Sequence, residues 1–139
     1  MAAHKGKGCK VTNVGITKII GLGTWSINGV TSEQLEDTEF GDNWKTFLYG
    51  MKDGGQVSFA GYYDSSDSTG QTVMRTANEN ETPLTDLRFN VDSTSYWRPN
   101  STGTPTSSIM ITSWDISADK AGLVQCSFTG KISGKMDFV

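Results

Sequence analysis

Val124-Gln125-Cys126-Ser127-Phe128-Thr129-Gly130-Lys131-Ile132-Ser133-Gly134-Lys135-Met136-Asp137-Phe138-Val139 alternates apolar and polar with almost no slip. Val124, Cys126, Phe128, Ile132, Met136 and Phe138 share one parity, and Gln125, Ser127, Thr129, Lys131, Ser133, Lys135 and Asp137 the other. Successive strand side chains project to opposite sides, so the pattern predicts a β-strand buried on one face and wet on the other. A straight strand from Val124 to Phe138 would run about 50 Å at 3.3 Å per residue. A compact domain of this length has a radius of gyration of roughly 14 Å, so the strand would overhang it. Either the strand bends at Gly130 and Gly134, where a missing Cβ permits bulges and corners, or it joins a sheet larger than one subunit.

The 139 residues make one domain, with 35% hydrophobic and 10% aromatic residues. Glycine, serine and threonine are plentiful and helix-period runs are few, which reads as mainly β with polar loops. Residues 1–10 are basic and glycine-containing, and are expected to form a flexible arm. Two strands over 14–20 and 22–30, or one bent strand, are expected, with Trp25 and Ile27 on one face. Others are expected over 56–63 (Val57, Phe59 and Tyr63), through Leu87, Phe89 and Val91, and over 109–117. Residues 31–43 lack a sustained period and read as a long loop, residues 44–51 as a short helix or a returning strand, and Lys52-Asp53-Gly54-Gly55 as a turn. The one good helix candidate covers 71–78, with Val73, Met74 and Ala77 as its apolar stripe and Ser68 spaced from Gln71 as in a capping box. The expected order is a meander of about six or seven strands with one helix.

The net charge of −3 argues against a dedicated nucleic-acid binder. Its distribution is uneven: Lys5, Lys7 and Lys10 make the start basic, and Glu33, Glu36, Asp37, Glu39 and Asp42 form an acidic block without a base among them. These are either two solvated segments or surfaces of opposite sign that meet between subunits and fix their register. Cys9 and Cys126 do not amount to a disulfide scaffold, and two reduced thiols and cytoplasmic folding are expected. Neither a signal peptide nor a transmembrane stretch is recognisable, so the sequons Asn80-Glu81-Thr82 and Asn100-Ser101-Thr102 read as chance.

Catalytic arrangements are hard to build. His4 is the sole histidine and lies in the expected arm, which leaves a serine or cysteine nucleophile without a positioned base and a Cys/His metal site without ligands. Glu36 with Asp42, or Glu33 with Glu39, share one acidic loop and read as solvated groups rather than a glycosidase pair. Asp64, Asp67 and Gly70 lack the alternation and the closing glutamate of a calcium loop. Gly21-Leu22-Gly23 opens a strand, not a helix, so it is no nucleotide site. The sequence carries no enzyme signature, and no cofactor is expected. Trp25, Trp44, Trp97 and Trp114, with Tyr49, Tyr62, Tyr63 and Tyr96, suit either a core with subunit contacts or a sugar-stacking sheet face; Tyr96-Trp97-Arg98 also suits an interface anchor.

Leu35-Glu36-Asp37-Thr38-Glu39-Phe40-Gly41-Asp42-Asn43-Trp44-Lys45-Thr46-Phe47, followed by Gly54-Gly55-Gln56-Val57-Ser58-Phe59-Ala60-Gly61-Tyr62-Tyr63 and Ser68-Thr69-Gly70-Gln71, resembles the tail tube (major tail) proteins of long-tailed bacteriophages. The order of elements matches over residues 11–139. The resemblance implies two packed antiparallel sheets, a sandwich or barrel, flanked by one short helix and a long inter-ring loop. It implies hexameric rings stacked into a hollow tube around a tape-measure protein, capped by terminator and baseplate proteins, through which double-stranded DNA passes without specific binding, with no membrane involved. It also implies virion tail localisation after assembly in the host cytoplasm, and no immunoglobulin-like decoration after Val139. Carried over by residue, the inter-ring role falls on Glu33, Glu36, Asp37, Thr38, Glu39, Phe40 and Asp42, with Trp44 beside them. Lys5, Lys7 and Lys10 of the arm, and Lys131 and Lys135 of the terminal strand, are the other expected contacts. A carbohydrate-binding sandwich, or another virion, pilus or type VI secretion tube subunit, remains the alternative.

Overall fold

The computed structural model describes residues 10–13, 17–19, 22–64, 70–92, 94–100, 102, 106–118, 120 and 122–139. Its strands are β1 (Lys10–Asn13), β2 (Thr17–Lys18), β3 (Leu22–Asn28), β4 (Thr31–Glu36), β5 (Phe47–Asp53), β6 (Gln56–Tyr62), β7 (Leu87–Asn90), β8 (Tyr96–Pro99), β9 (Ser108–Ser117), β10 (Gln125–Ser133) and β11 (Met136–Phe138), and its helix is α1 (Gln71–Glu79). They form a five-stranded sheet ordered β11-β8-β7-β1-β2, a four-stranded sheet ordered β3-β6-β10-β9, and a two-stranded sheet of β4 and β5. Every strand pair is antiparallel. The expected mainly β fold with packed sheets and one helix is present. The expected meander is not, because the chain crosses between the two larger sheets instead of adding neighbours in sequence.

Aromatic rings join those two sheets. Phe59 of β6 stacks on Phe128 of β10 at 5.4 Å and meets Phe89 of β7 edge-on at 5.8 Å. Trp25 of β3 tilts against Phe89 at 5.5 Å, a spacing that offset and edge-to-face rings favour. Val11, Ile19, Val57, Leu87 and Ile109 fill the space around them and are almost wholly buried. Helix α1 lies against β9, with Met74 and Ala77 buried, Asn78 Nδ2 donating to the Ile111 carbonyl at 2.8 Å, and Arg75 over the Trp114 ring. Gln71 is its first residue and Gly70 its N-cap; Ser68 of the expected capping box lies outside the described residues. Gln71 is buried because it stitches the helix to the end of β6. Its Nε2 donates to the Tyr62 carbonyl at 2.8 Å and its Oε1 accepts from the Asp64 N–H at 2.9 Å.

The terminal strand keeps the expected parity through its middle: Cys126, Phe128, Gly130 and Ile132 are buried between more exposed neighbours. It does not run on as one strand. At Gly134, with φ +98°, the chain leaves the four-stranded sheet, and β11 joins the five-stranded one beside β8. A Cβ at Gly134 would collide with Ser107, whose hydroxyl accepts the Lys135 N–H at 2.9 Å. The bend thus resolves the overhang within one chain. The outermost positions of the pattern depart from it: Val124 and Phe138 are exposed. Lys10 likewise departs from expectation, since it opens β1 opposite Asn90 rather than belonging to an arm.

Candidate assembly surface

Two strands of the four-stranded sheet continue beyond it. Asn28 of β3 faces Gln56 of β6, and after one interruption Thr31 of β4 faces Asp53 of β5 in the same register. Lys52-Asp53-Gly54-Gly55 is therefore not the chain-reversing turn expected from its glycines. It is a joint in a long antiparallel ribbon. Gly29 (φ +75°) and Gly55 (φ +85°) sit across from each other there, and a Cβ on Gly55 would strike the Asn28 carbonyl. Only glycine adopts such a backbone without strain.

Beyond the joint, every residue from Thr31 to Tyr49 is exposed. The segment 31–43, expected as a loop, is half strand. Its tip is held by its own hydrogen bonds: Asp37 N–H donates to the Thr46 carbonyl at 2.8 Å and Thr46 Oγ1 to the Asp37 carbonyl at 2.7 Å. Thr38 Oγ1 accepts from Thr46 N–H and donates to Glu36 at 3.1 Å, while Asp42 accepts the Glu39 N–H through its carboxylate at 2.8 Å and returns its own N–H to the Glu39 carbonyl at 3.1 Å. This turn displays Phe40 completely, and Trp44 beside it is 84% exposed. The returning strand, rather than a helix, occupies 47–53.

The ribbon gathers Glu33, Glu36, Asp37, Thr38, Glu39, Phe40, Asp42 and Trp44 on one projection. Lys10 lies in the five-stranded sheet, away from them in the fold, and Lys5 and Lys7 are outside the described residues. Lys131 already binds Asp53 at the joint, and Lys135 pairs with Asp137 at 3.2 Å. The Lys131 ammonium, and after it the Gly55 N–H, hold the Asp53 carboxyl below its ordinary value of 3.8. Sequence reasoning missed the apolar residues that share the ribbon: Val30, Leu35, Phe47, Leu48, Tyr49 and Met51 are all exposed. Six large apolar side chains on a hairpin without a core exceed the scattered exposed hydrophobes of an ordinary surface and mark an interaction region.

The four-stranded sheet presents a second surface. Its outer face carries Thr24, Ser26, Ser58, Ser127, Thr129 and Ser113, with the Ser26 and Ser58 hydroxyls 2.8 Å apart. Its outer strands are β3 and β9; the start of β9 is bridged to Leu84 through Ile109, and beyond Ile111 neither outer edge pairs with another strand among the described residues. No cluster of histidine, cysteine and carboxylate groups suited to a metal occurs among the described residues, and no helix among them is long and apolar enough to cross a membrane. Trp25, Trp97, Trp114 and Tyr63 are partly buried and pack against the core, so they form no continuous row of rings on the outer face of the four-stranded sheet.

No protein-family model and no curated protein matches the sequence. Solved structures do match the fold. A chain of the virion of a native gene transfer agent particle superposes with a TM-score of 0.75 at 18% identity, over 99% of both chains. One from the tail of an empty gene transfer agent particle, refined with C6 helical symmetry, gives 0.74 at 17% identity, again over 99% of both. The sheath/tube terminator of an extracellular contractile injection system in its extended state supplies another, at 0.72 and 11% identity, over 100% of this chain and 98% of that one. Along essentially its whole length, the chain has the fold of these phage-like tail and injection-tube assemblies.

Proposed function

We propose that this protein is a structural tail tube subunit that polymerises as stacked six-membered rings, and that it performs no catalysis. One observation carries the reading: a fold shared end to end with a chain of a C6-symmetric tail bears an exposed ribbon whose apolar residues have no cover in the monomer. Within a ring, the β3 side of one subunit's four-stranded sheet pairs with the β9 side of the next. That pairing closes the sheets into a barrel and removes their edges. Between rings, the ribbon supplies the contact, with Glu33, Glu36, Asp37, Glu39 and Asp42 giving it charge and Phe40 and Trp44 giving it apolar area. The serine- and threonine-rich sheet face then lines the bore, where few fixed positive charges would hold DNA phosphates. A tape-measure protein inside, terminator and baseplate proteins at the ends, and assembly in a host cytoplasm complete the proposal.

Electron microscopy of the concentrated protein tests it. Hollow tubes with six-fold cross-sections are expected. A protein that stays monomeric at every concentration, with neither rings nor tubes, would overturn the reading.

A further inference from the structure

We infer that the tip of the ribbon docks into a groove at the ribbon base of another copy of the same chain. The inference rests on the polymerising reading above and adds the receptor. The groove is open, has a volume of about 1000 Å³, and is floored by Trp25, Ile27, Trp97 and Met136. It lies where β3 ends beside β8 and β11, so it is the uncovered mouth between the two larger sheets. Lys52 and Lys135 stand on its rim, Lys135 largely exposed although it also pairs with Asp137 at 3.2 Å. Asp53 is there as well, but its charge is answered by Lys131.

The tip has the complementary chemistry. Phe40 and Trp44 project two aromatic rings into solvent, amid Glu36, Asp37, Glu39 and Asp42 and with no basic residue between Glu36 and Asp42. Each ring can cover roughly 150–250 Å² when buried, so two rings can seat on the Trp25 and Trp97 floor while the carboxylates meet the rim lysines. The chain's own tip cannot make this contact. Strand β4 alone holds tip and base about 20 Å apart. An interface between different patches on identical subunits is heterologous: it closes into a ring or propagates along an axis, and does not end at a pair.

Charge exchange on the full-length chain tests the docking, read by light scattering during polymerisation and by electron microscopy. Lys52→Glu with Lys135→Glu should slow polymerisation at least tenfold, and Asp37→Lys with Glu39→Lys should do the same. All four substitutions in one chain should bring the rate back to within about threefold of the original, with thermal unfolding monitored to show that each monomer folds. Chains that polymerise normally with either pair alone, or that remain defective with all four, would overturn the docking. Wild-type chains that never polymerise would overturn the tube reading itself. Cross-linking gives an independent readout. In a Cys9→Ser background, Phe40→Cys chains mixed with Lys52→Cys chains should form disulfide-linked dimers that neither yields alone. With Cys9 restored, a bond from Lys52→Cys to Cys9 within one chain would assign the groove to the N-terminal segment and sink the proposal.

Discussion

The two ends of one antiparallel ribbon behave as different materials. In the body, β6 is bonded to β3 on one side and β10 on the other, and Val57 and Phe59 are at most 2% exposed. Past Gly29 and Gly55 the same register continues through Ser32 and Lys52, slips by one at a bulge before Gln34, and runs on to the tip, yet Phe47, Leu48, Tyr49 and Met51 are 54–82% exposed. The body strand β6 is bonded on both sides, to β3 and β10, whereas β5 is bonded to β4 alone. What also changes is whether a second layer covers the side chains. A two-stranded hairpin is marginal in water without one, and the natural cover for the ribbon is another subunit.

The contrast breaks most severely if the body loses its aromatic centre. Phe128→Ala removes the ring stacked on Phe59 and should cost about 3–5 kcal/mol, measured by guanidinium unfolding of the monomer. A smaller effect is expected at the joint. Gly55→Ala forces a side chain into a left-handed backbone against the Asn28 carbonyl and should cost about 1–3 kcal/mol. An unchanged midpoint would mean that the joint relaxes without strain.

The ribbon should respond in the opposite sense. Leu35→Ser with Leu48→Ser, cross-strand partners on its exposed surface, should leave monomer stability within about 0.5 kcal/mol while abolishing polymer. Loss of the folded monomer would show that the ribbon belongs to the body after all. The smallest effect concerns pH. The Asp53 carboxyl titrates lower when folded than unfolded, so its pairing with Lys131 stabilises the protein fully above pH 3.8 and fades as pH falls below that value. Asp53→Asn should therefore lower stability slightly near neutrality, where the pairing is complete, and flatten acid unfolding in that window, because the carboxylate is no longer there to be protonated.

The body was legible in the sequence because burial writes itself into parity. Cys126, Phe128 and Ile132 alternate with Ser127, Thr129 and Lys131, and the structure places them accordingly. The ribbon was not legible for the converse reason. Residues Thr31 to Glu36 are all exposed, so no face selects apolar residues and period-two reasoning has nothing to detect. The acidic and aromatic residues of the tip stood out by composition, but their attachment to a strand did not. Gly54-Gly55 pointed to a reversal because glycine pairs usually mark turns, whereas here the facing Gly29 makes them a joint. The groove escaped notice because Trp25 and Trp97 meet only through the crossing of two sheets.

The joint-to-tip span is a ruler. With the tip of one subunit seated at the base of another, the number of residue pairs in β4 and β5 fixes the axial period of the polymer. One inserted pair would lengthen the arm by about 3.3 Å and turn its tip to the wrong side; two would restore the facing and add about 7 Å. Tubes whose layer-line spacing grows by that increment would show that this hairpin, and not the body, sets the pitch of the assembly.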